Sequence, residues 1–275
     1  MSSGNAINDK EKTIREEERK IKENVSRIKH RIAIFSGKGG VGKTTLSVNL
    51  SFGFLSQGYK TGLLDADITG PNVSKMLGIT DELIVLNESI IPHEKEGLKS
   101  ISVANLIEPG QPVIWRGPMR SKIINQFLAE VKWGELDFLL ADLPPGTGDE
   151  ILTIAQMMKP DAAVIVTTPQ EVSLIDAERA ANMAIKMEIP FVGVVENMSG
   201  LICPECNNVI DIFGHGGGRK LAEKMDLTFL GDIPFEVNTR KLADRGIPVM
   251  LNKSETLINN KFLDVVNNIK YALNE

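Results

Sequence analysis

Gly37-Lys38-Gly39-Gly40-Val41-Gly42-Lys43-Thr44-Thr45 is the stretch whose reading decides the fold. The apolar run Arg31-Ile32-Ala33-Ile34-Phe35-Ser36 leads into it, and a helical pattern from Leu46 to Leu55 leaves it. Strand, glycine loop and helix in that order form the context of a P-loop. Gly37, Gly39, Gly40 and Gly42 let the backbone turn tightly and aim N–H groups inward at phosphate oxygens, and the new helix adds its positive end. In this pattern Lys43 sits where it reaches β- and γ-phosphates, and Thr44 where a hydroxyl holds Mg²⁺. The competing reading is a glycine-rich turn with no ligand.

Lys38 is not required by the ordinary phosphate cradle. With it, the loop resembles the deviant Walker A ATPases, which include MinD, ParA, nitrogenase iron protein and the Mrp/ApbC iron–sulfur carriers. The resemblance implies that Lys38 crosses a dimer interface to the partner's nucleotide, so that Lys38, Lys43, Thr44 and Thr45 act on ATP within a homodimer. Read without it, Lys38 is a solvated loop lysine.

Downstream, Lys60-Thr61-Gly62-Leu63-Leu64 reads as a strand ending in Asp65-Ala66-Asp67. Ligands of open parallel sheets gather at the carboxyl ends of strands, where such carboxylates meet water or Mg²⁺. With Ile68-Thr69-Gly70-Pro71-Asn72 the segment resembles the family's switch I. By that match Asp67 orients the attacking water and Asp65 helps order the Mg²⁺ shell. Leu136 to Ala141 reads as a buried strand delivering Asp142, the arrangement in which an apolar strand presents one carboxylate to Mg²⁺. Pro144-Pro145-Gly146-Thr147-Gly148-Asp149 follows. A glycine there can present its N–H to the γ-phosphate, and the string resembles switch II of the Mrp/ApbC group. Asp149 reads as the cap of a helix from Glu150 to Met158.

Further strands are expected at Ala162–Thr168, at Phe191–Asn197 and from Thr228, with helices at Glu171–Met187, Arg219–Met225, Val237–Arg245 and Thr256–Ala272. Residues 83–104 read as short β pieces and Arg120–Val131 as a helix. Turns at Pro109-Gly110 and Gly117-Pro118 flank Trp115-Arg116, with Trp115 in the core or on a dimer surface. Asn197 resembles the family's adenine-reading asparagine, and Pro234 lies in a segment that resembles the wall of the adenine pocket. Asn197 also reads simply as a turn former.

The chain's two cysteines, Cys203 and Cys206, stand three apart. In a reducing compartment the pair reads as metal, cluster or redox chemistry rather than a structural disulfide. Its placement after a strand and Glu196-Asn197-Met198-Ser199 resembles the Mrp/ApbC carriers, in an exposed loop. A common iron–sulfur cluster or a closed zinc site wants four protein ligands, and one chain offers two thiolates. Two chains about a twofold axis supply four, so the resemblance implies one 4Fe–4S cluster bridging a homodimer and passed to apo iron–sulfur proteins. His215, in the loop Phe213–Gly218, is a further candidate ligand.

The 275 residues are 42% hydrophobic, enough for one large α/β domain. The expected architecture is a single doubly wound domain with about seven largely parallel strands, spanning residues 31–275 behind a charged arm at residues 1–30. The arm reads as a disordered start and an amphipathic helix with Ile14, Ile21, Val25 and Ile28 near one face. It carries no cysteine, so the second cluster that some relatives hold on such an extension is not expected here. A formal charge of −5 gives no bulk attraction to nucleic acid, and no apolar run suits a membrane, so a cytoplasmic protein is expected. Two rivals remain. A MinD/ParA positioning ATPase has no use for the cysteines. A zinc-bridged targeting ATPase needs a large hydrophobic helical insertion, which no segment supplies.

Overall fold

The chain opens with helix α1 (Ser3–Val25) and passes almost directly into strand β1 (Ile28–Ser36), so the first strand begins three residues before Arg31. Helix α2 (Lys43–Ser56), β2 (Thr61–Asp65), α3 (Val73–Leu77), β3 (Ile84–Leu86), β4 (Ser89–Ile91), β5 (His93–Lys95) and β6 (Leu98–Ser102) follow. Next come α4 (Gly117–Glu130), β7 (Leu136–Asp142), α5 (Asp149–Met158), β8 (Ala162–Thr167), α6 (Glu171–Lys186) and β9 (Phe191–Ile202). The chain closes with β10 (Val209–Ile210), α7 (Gly217–Lys224), β11 (Thr228–Phe235), α8 (Val237–Asp244) and α9 (Leu257–Ala272). This computed structural model describes residues 3–68, 70–87, 89–106, 117–203, 205–206, 208–252 and 256–275. The expected turn at Pro109-Gly110 and the placement of Trp115 and Arg116 lie outside the described residues, as does Thr69 of the switch I segment.

Among the described residues the main sheet has nine strands, in the order β10-β9-β8-β1-β7-β2-β6-β5, with β11 also paired to β9. The pairings among β1, β2, β6, β7, β8, β9 and β11 are parallel, while β5 on β6 and β10 on β9 are antiparallel. The seven parallel strands are the core expected from the sequence; β5 falls among the short β pieces expected at residues 83–104, and β10, two residues long, is too short to announce itself. β3 and β4 pair separately.

Alternation along β1 explains why both faces carry helices. Ile32 and Ile34 point into one apolar cluster with Leu46, Leu50 and Phe54 of α2 and Phe262 and Val266 of α9. Ala33 and Phe35 point the other way, into a second cluster with Ile124 and Phe127 of α4 and Ala177 and Ala181 of α6. α1 joins the second cluster through Ile21 and Val25, while Ile14 stays exposed and Ile28 belongs to the strand rather than to the helical face. The amide of Asn24 donates to the carbonyls of Leu128 and Val131, each at 2.8 Å, and so caps the C-terminal end of α4. Helix α5 starts at Asp149 with Gly148 in the N-cap position, one residue earlier than expected.

Candidate functional site

β1 lies between β7 and β8, and its carboxyl end opens into the glycine loop. Gly42 takes the N-cap position of α2 in a left-handed conformation, φ 81°, and its Cα faces the Asn197 side chain so closely that a Cβ would collide with Nδ2. Only glycine meets both demands. Asn197, at the far side, donates its amide to the Val41 carbonyl at 2.8 Å and is buried. Strand β9 is thereby tied directly to the loop.

Behind the loop stand two carboxylates, Asp65 on β2 and Asp142 on β7, opposite each other in the parallel ladder and fully buried. Asp142 accepts from Lys43 Nζ, Thr44 Oγ1 and Ser47 Oγ, all at 2.7 Å. Asp65 accepts from Ser102 Oγ at 2.8 Å and from the backbone N–H groups of Asp67 and Val73 at 3.2 Å, with no cation in contact among the described residues. Burial first, and the neighbouring Asp142 second, push its carboxyl up to about 7. Lys43, Thr44 and Asp142, from two segments far apart in the chain, thus come together. Ser47 and Ser102 complete the arrangement. Ser47 could have been found as the residue one helical turn after Lys43. Ser102 carries no signal beyond ending a strand.

The loop forms one wall of a cavity of about 600 Å³. Lys38, Gly39, Gly40, Val41, Gly42, Lys43, Thr44, Thr45, Asp67, Asn197 and Pro234 all line it, with Thr239 and Arg240 of α8. Gly37 instead packs on the Asp176 backbone of α6. Asp67 also accepts from Gly70 N–H at 3.2 Å. In the second switch segment the N–H of Gly146 is engaged by the Ser36 carbonyl at 2.8 Å. The hydroxyl of Thr44 beside two buried carboxylates, one with no described cation of its own, is a donor set of hard oxygens that suits Mg²⁺.

β9 does not end at Asn197 but runs on to Ile202, because Leu201 and Ile202 pair with Ile210 and Val209 of β10. Cys203 N–H donates to the Asn208 carbonyl at 2.9 Å and extends this ladder. The cysteines therefore sit in the connection at the tip of a β-hairpin. Cys203 is half-buried, Cys206 exposed, and neither is in a disulfide. The backbone N–H groups of Glu205 and Cys206, and then the Cys206 thiol, pull the Cys203 thiol below its ordinary range. His215 faces Asp211 at 3.1 Å, and among the described residues no three His, Cys, Asp or Glu groups converge to hold a metal ion. No helix among those residues is long and apolar enough to cross a membrane.

Comparison with known proteins adds the family. The ParA family model, described as NUBPL iron-transfer P-loop NTPase, matches residues 27–270. An iron–sulfur cluster carrier protein of Pyrococcus horikoshii is 53% identical over 234 residues, covering 81% of this chain and 79% of the relative. A nucleotide-binding protein of Archaeoglobus fulgidus, solved in complex with ADP, superposes with a TM-score of 0.75 at 38% identity, covering 88% of this chain and 98% of that one. The cell division ATPase MinD of Pyrococcus furiosus has a TM-score of 0.65 at 23% identity, covering 89% and 99%, a likeness of fold alone.

Proposed function

The chain belongs to the NUBPL iron-transfer P-loop NTPase family, and from that premise we propose that it is an ATP-binding and ATP-hydrolysing iron–sulfur carrier that holds a cluster as cargo and hands it to apo-proteins in the cytoplasm. The observation that carries the reading is the two-cysteine hairpin at the end of β9, six residues beyond the asparagine that lines the nucleotide cavity. A MinD-type ATPase has no task for that hairpin.

In this reading the loop amides and Lys43 take the phosphates. Lys43 must then leave Asp142, so phosphate binding exchanges one charged partner for another. Thr44, Asp142 and Asp65 would hold Mg²⁺, which when bound neutralises phosphate charge. Asp67 orients the attacking water, and Lys38 reaches the nucleotide of a second copy. Asn197 and Pro234 border the adenine. Phosphoryl transfer needs mostly positioning and charge stabilisation, and these side chains supply both. Cys203 and Cys206 of two subunits supply four thiolates to a single 4Fe–4S cluster.

Anaerobic reconstitution with iron and sulfide, followed by metal analysis, visible absorption and sizing, tests the proposal. One 4Fe–4S cluster per dimer is expected. It should be lost in the Cys203→Ala/Cys206→Ala double variant with ATP binding intact. A cluster retained in that variant, a cluster-loaded monomer, or stoichiometric zinc in place of iron would overturn the proposal, the last in favour of a zinc-bridged ATPase.

A further inference from the structure

Glu196 is fully buried at the point where β9 passes between the two proposed sites, and no step above uses it. Its carboxylate accepts from Ser199 Oγ at 2.6 Å, from Gly216 N–H at 2.8 Å and from Gly218 N–H at 2.5 Å. Two of these donors belong to the first turn of α7 and its approach, where backbone N–H groups and the helix dipole favour a negative charge. The carboxylate is therefore anchored by charge-assisted bonds that are costly to break in a buried place. The next residue along the strand, Asn197, points to the opposite face and is bonded to the Val41 carbonyl of the glycine loop. Beyond it the strand has two left-handed residues, Met198 at φ 58° and Gly200 at φ 76°, before it reaches Cys203. Both interrupt the regular strand backbone, and the bond from Glu196 to Ser199 spans the first of them.

We infer that Glu196 is a positioning residue that braces the cysteine hairpin against the nucleotide pocket, so that a nucleotide moving Asn197 also moves Cys203. Fixed to α7 on one face and to the loop on the other, this part of β9 cannot absorb a shift at Asn197. The shift is passed across Met198 by the Ser199 bond. The inference rests on the carrier reading of both sites.

The test uses the full chain without cluster. The rate at which iodoacetamide alkylates Cys203 and Cys206 is measured with and without Mg·ATP, alongside ATP affinity and circular dichroism. In the parent, Mg·ATP should change the rate about fivefold or more, the lower end of ordinary coupling between sites. Glu196→Gln turns an acceptor oxygen into an amide group facing N–H donors, and Ser199→Ala removes the brace alone. Each should bring the ratio to within about twofold of one with ATP affinity unchanged. A residue that only supported the fold would alter both rates alike and leave their ratio. A parent ratio of one, or a ratio that survives in Ser199→Ala, overturns the inference, and that second variant decides if Glu196→Gln does not fold. Reconstitution of the same preparations separates the two claims. A protein that binds cluster without coupling refutes the brace alone, and one that couples without binding cluster refutes the carrier reading alone.

Discussion

Asp65 and Asp142 face each other across the β2–β7 ladder, both without solvent contact, yet among the described residues only Asp142 has a cation, Lys43, at 2.7 Å. The two carboxylates are therefore not equivalent. One is paired, and the other is held neutral more easily than an ordinary aspartate.

The second member should make the nucleotide-free protein sensitive to pH. Its carboxyl is raised from 3.8 to about 7, so the folded state binds a proton that the unfolded chain releases. The stability this gives is complete below pH 3.8 and is lost as the pH rises through about 7. Thermal midpoints of the parent should fall between pH 5 and pH 8, and Asp65→Asn, which cannot ionise, should flatten that slope. Equal slopes in both proteins would show that Asp65 is not the responsible group.

The two lysines of the loop should separate in urea unfolding. Lys43→Ala strands a buried carboxylate, and the loss should be about 3 kcal/mol, the low end for breaking a buried pair, because Thr44 and Ser47 still donate to Asp142. ATP affinity should fall with it. Lys38→Ala breaks no such pair and should stay within about 0.5 kcal/mol of the parent while slowing ATP hydrolysis. A Lys38→Ala protein that hydrolysed ATP at the parent rate would remove the case for a cross-subunit lysine.

Glycines of the loop should also differ. Gly42→Ala forces a side chain into a left-handed residue, at about 1–3 kcal/mol, and into the Asn197 amide as well. ADP binding by calorimetry should be lost. A Cβ at Gly39 meets nothing within 4 Å, so Gly39→Ala should retain the fold's stability. Matching unfolding curves for the two variants would contradict this.

The N-terminal arm is tied to α4 through the Asn24 side chain. Asn24→Ala leaves the carbonyls of Leu128 and Val131 without their partner and should cost about 1–3 kcal/mol, with nucleotide affinity unchanged. If stability does not move, the Asn24 bonds do not hold α1, and the apolar packing of Ile21 and Val25 matters more.

The glycine loop and the apolar strands were legible because each carries a local signal: a fixed spacing in Gly37–Thr44, and continuous apolar runs such as Phe138-Leu139-Leu140-Ala141 in the strand ending at Asp142. The closing helix expected from Thr256 was legible too, and Thr256 itself proves to be its N-cap, with Oγ1 accepting from Asn259 N–H. What could not be read is what depends on distant partners. Nothing between Asn197 and Ile202 marks it as strand, since Met198 and Gly200 have left-handed backbones and it is pairing with β10 and β11 that holds it in the sheet. Likewise the charged sequence of α1 gives no hint that Asn24 reaches residues more than 100 positions away. Ser102 at the end of β6 and Glu196 within β9 are polar residues common in any sheet, and only their hydrogen-bond partners single them out.

The central place of β1 has a consequence for synthesis. Its neighbours β7 and β8 begin at Leu136 and Ala162, so the first strand of the domain to leave the ribosome waits for both its partners. At ordinary translation rates that interval is on the order of 5–25 s. For that time the glycine loop is exposed chain without the Asp142 to which Lys43 is later bound. A nascent chain arrested before Leu136 should fail to retain ATP, and one released after Thr167 is the first in which all three strands are present.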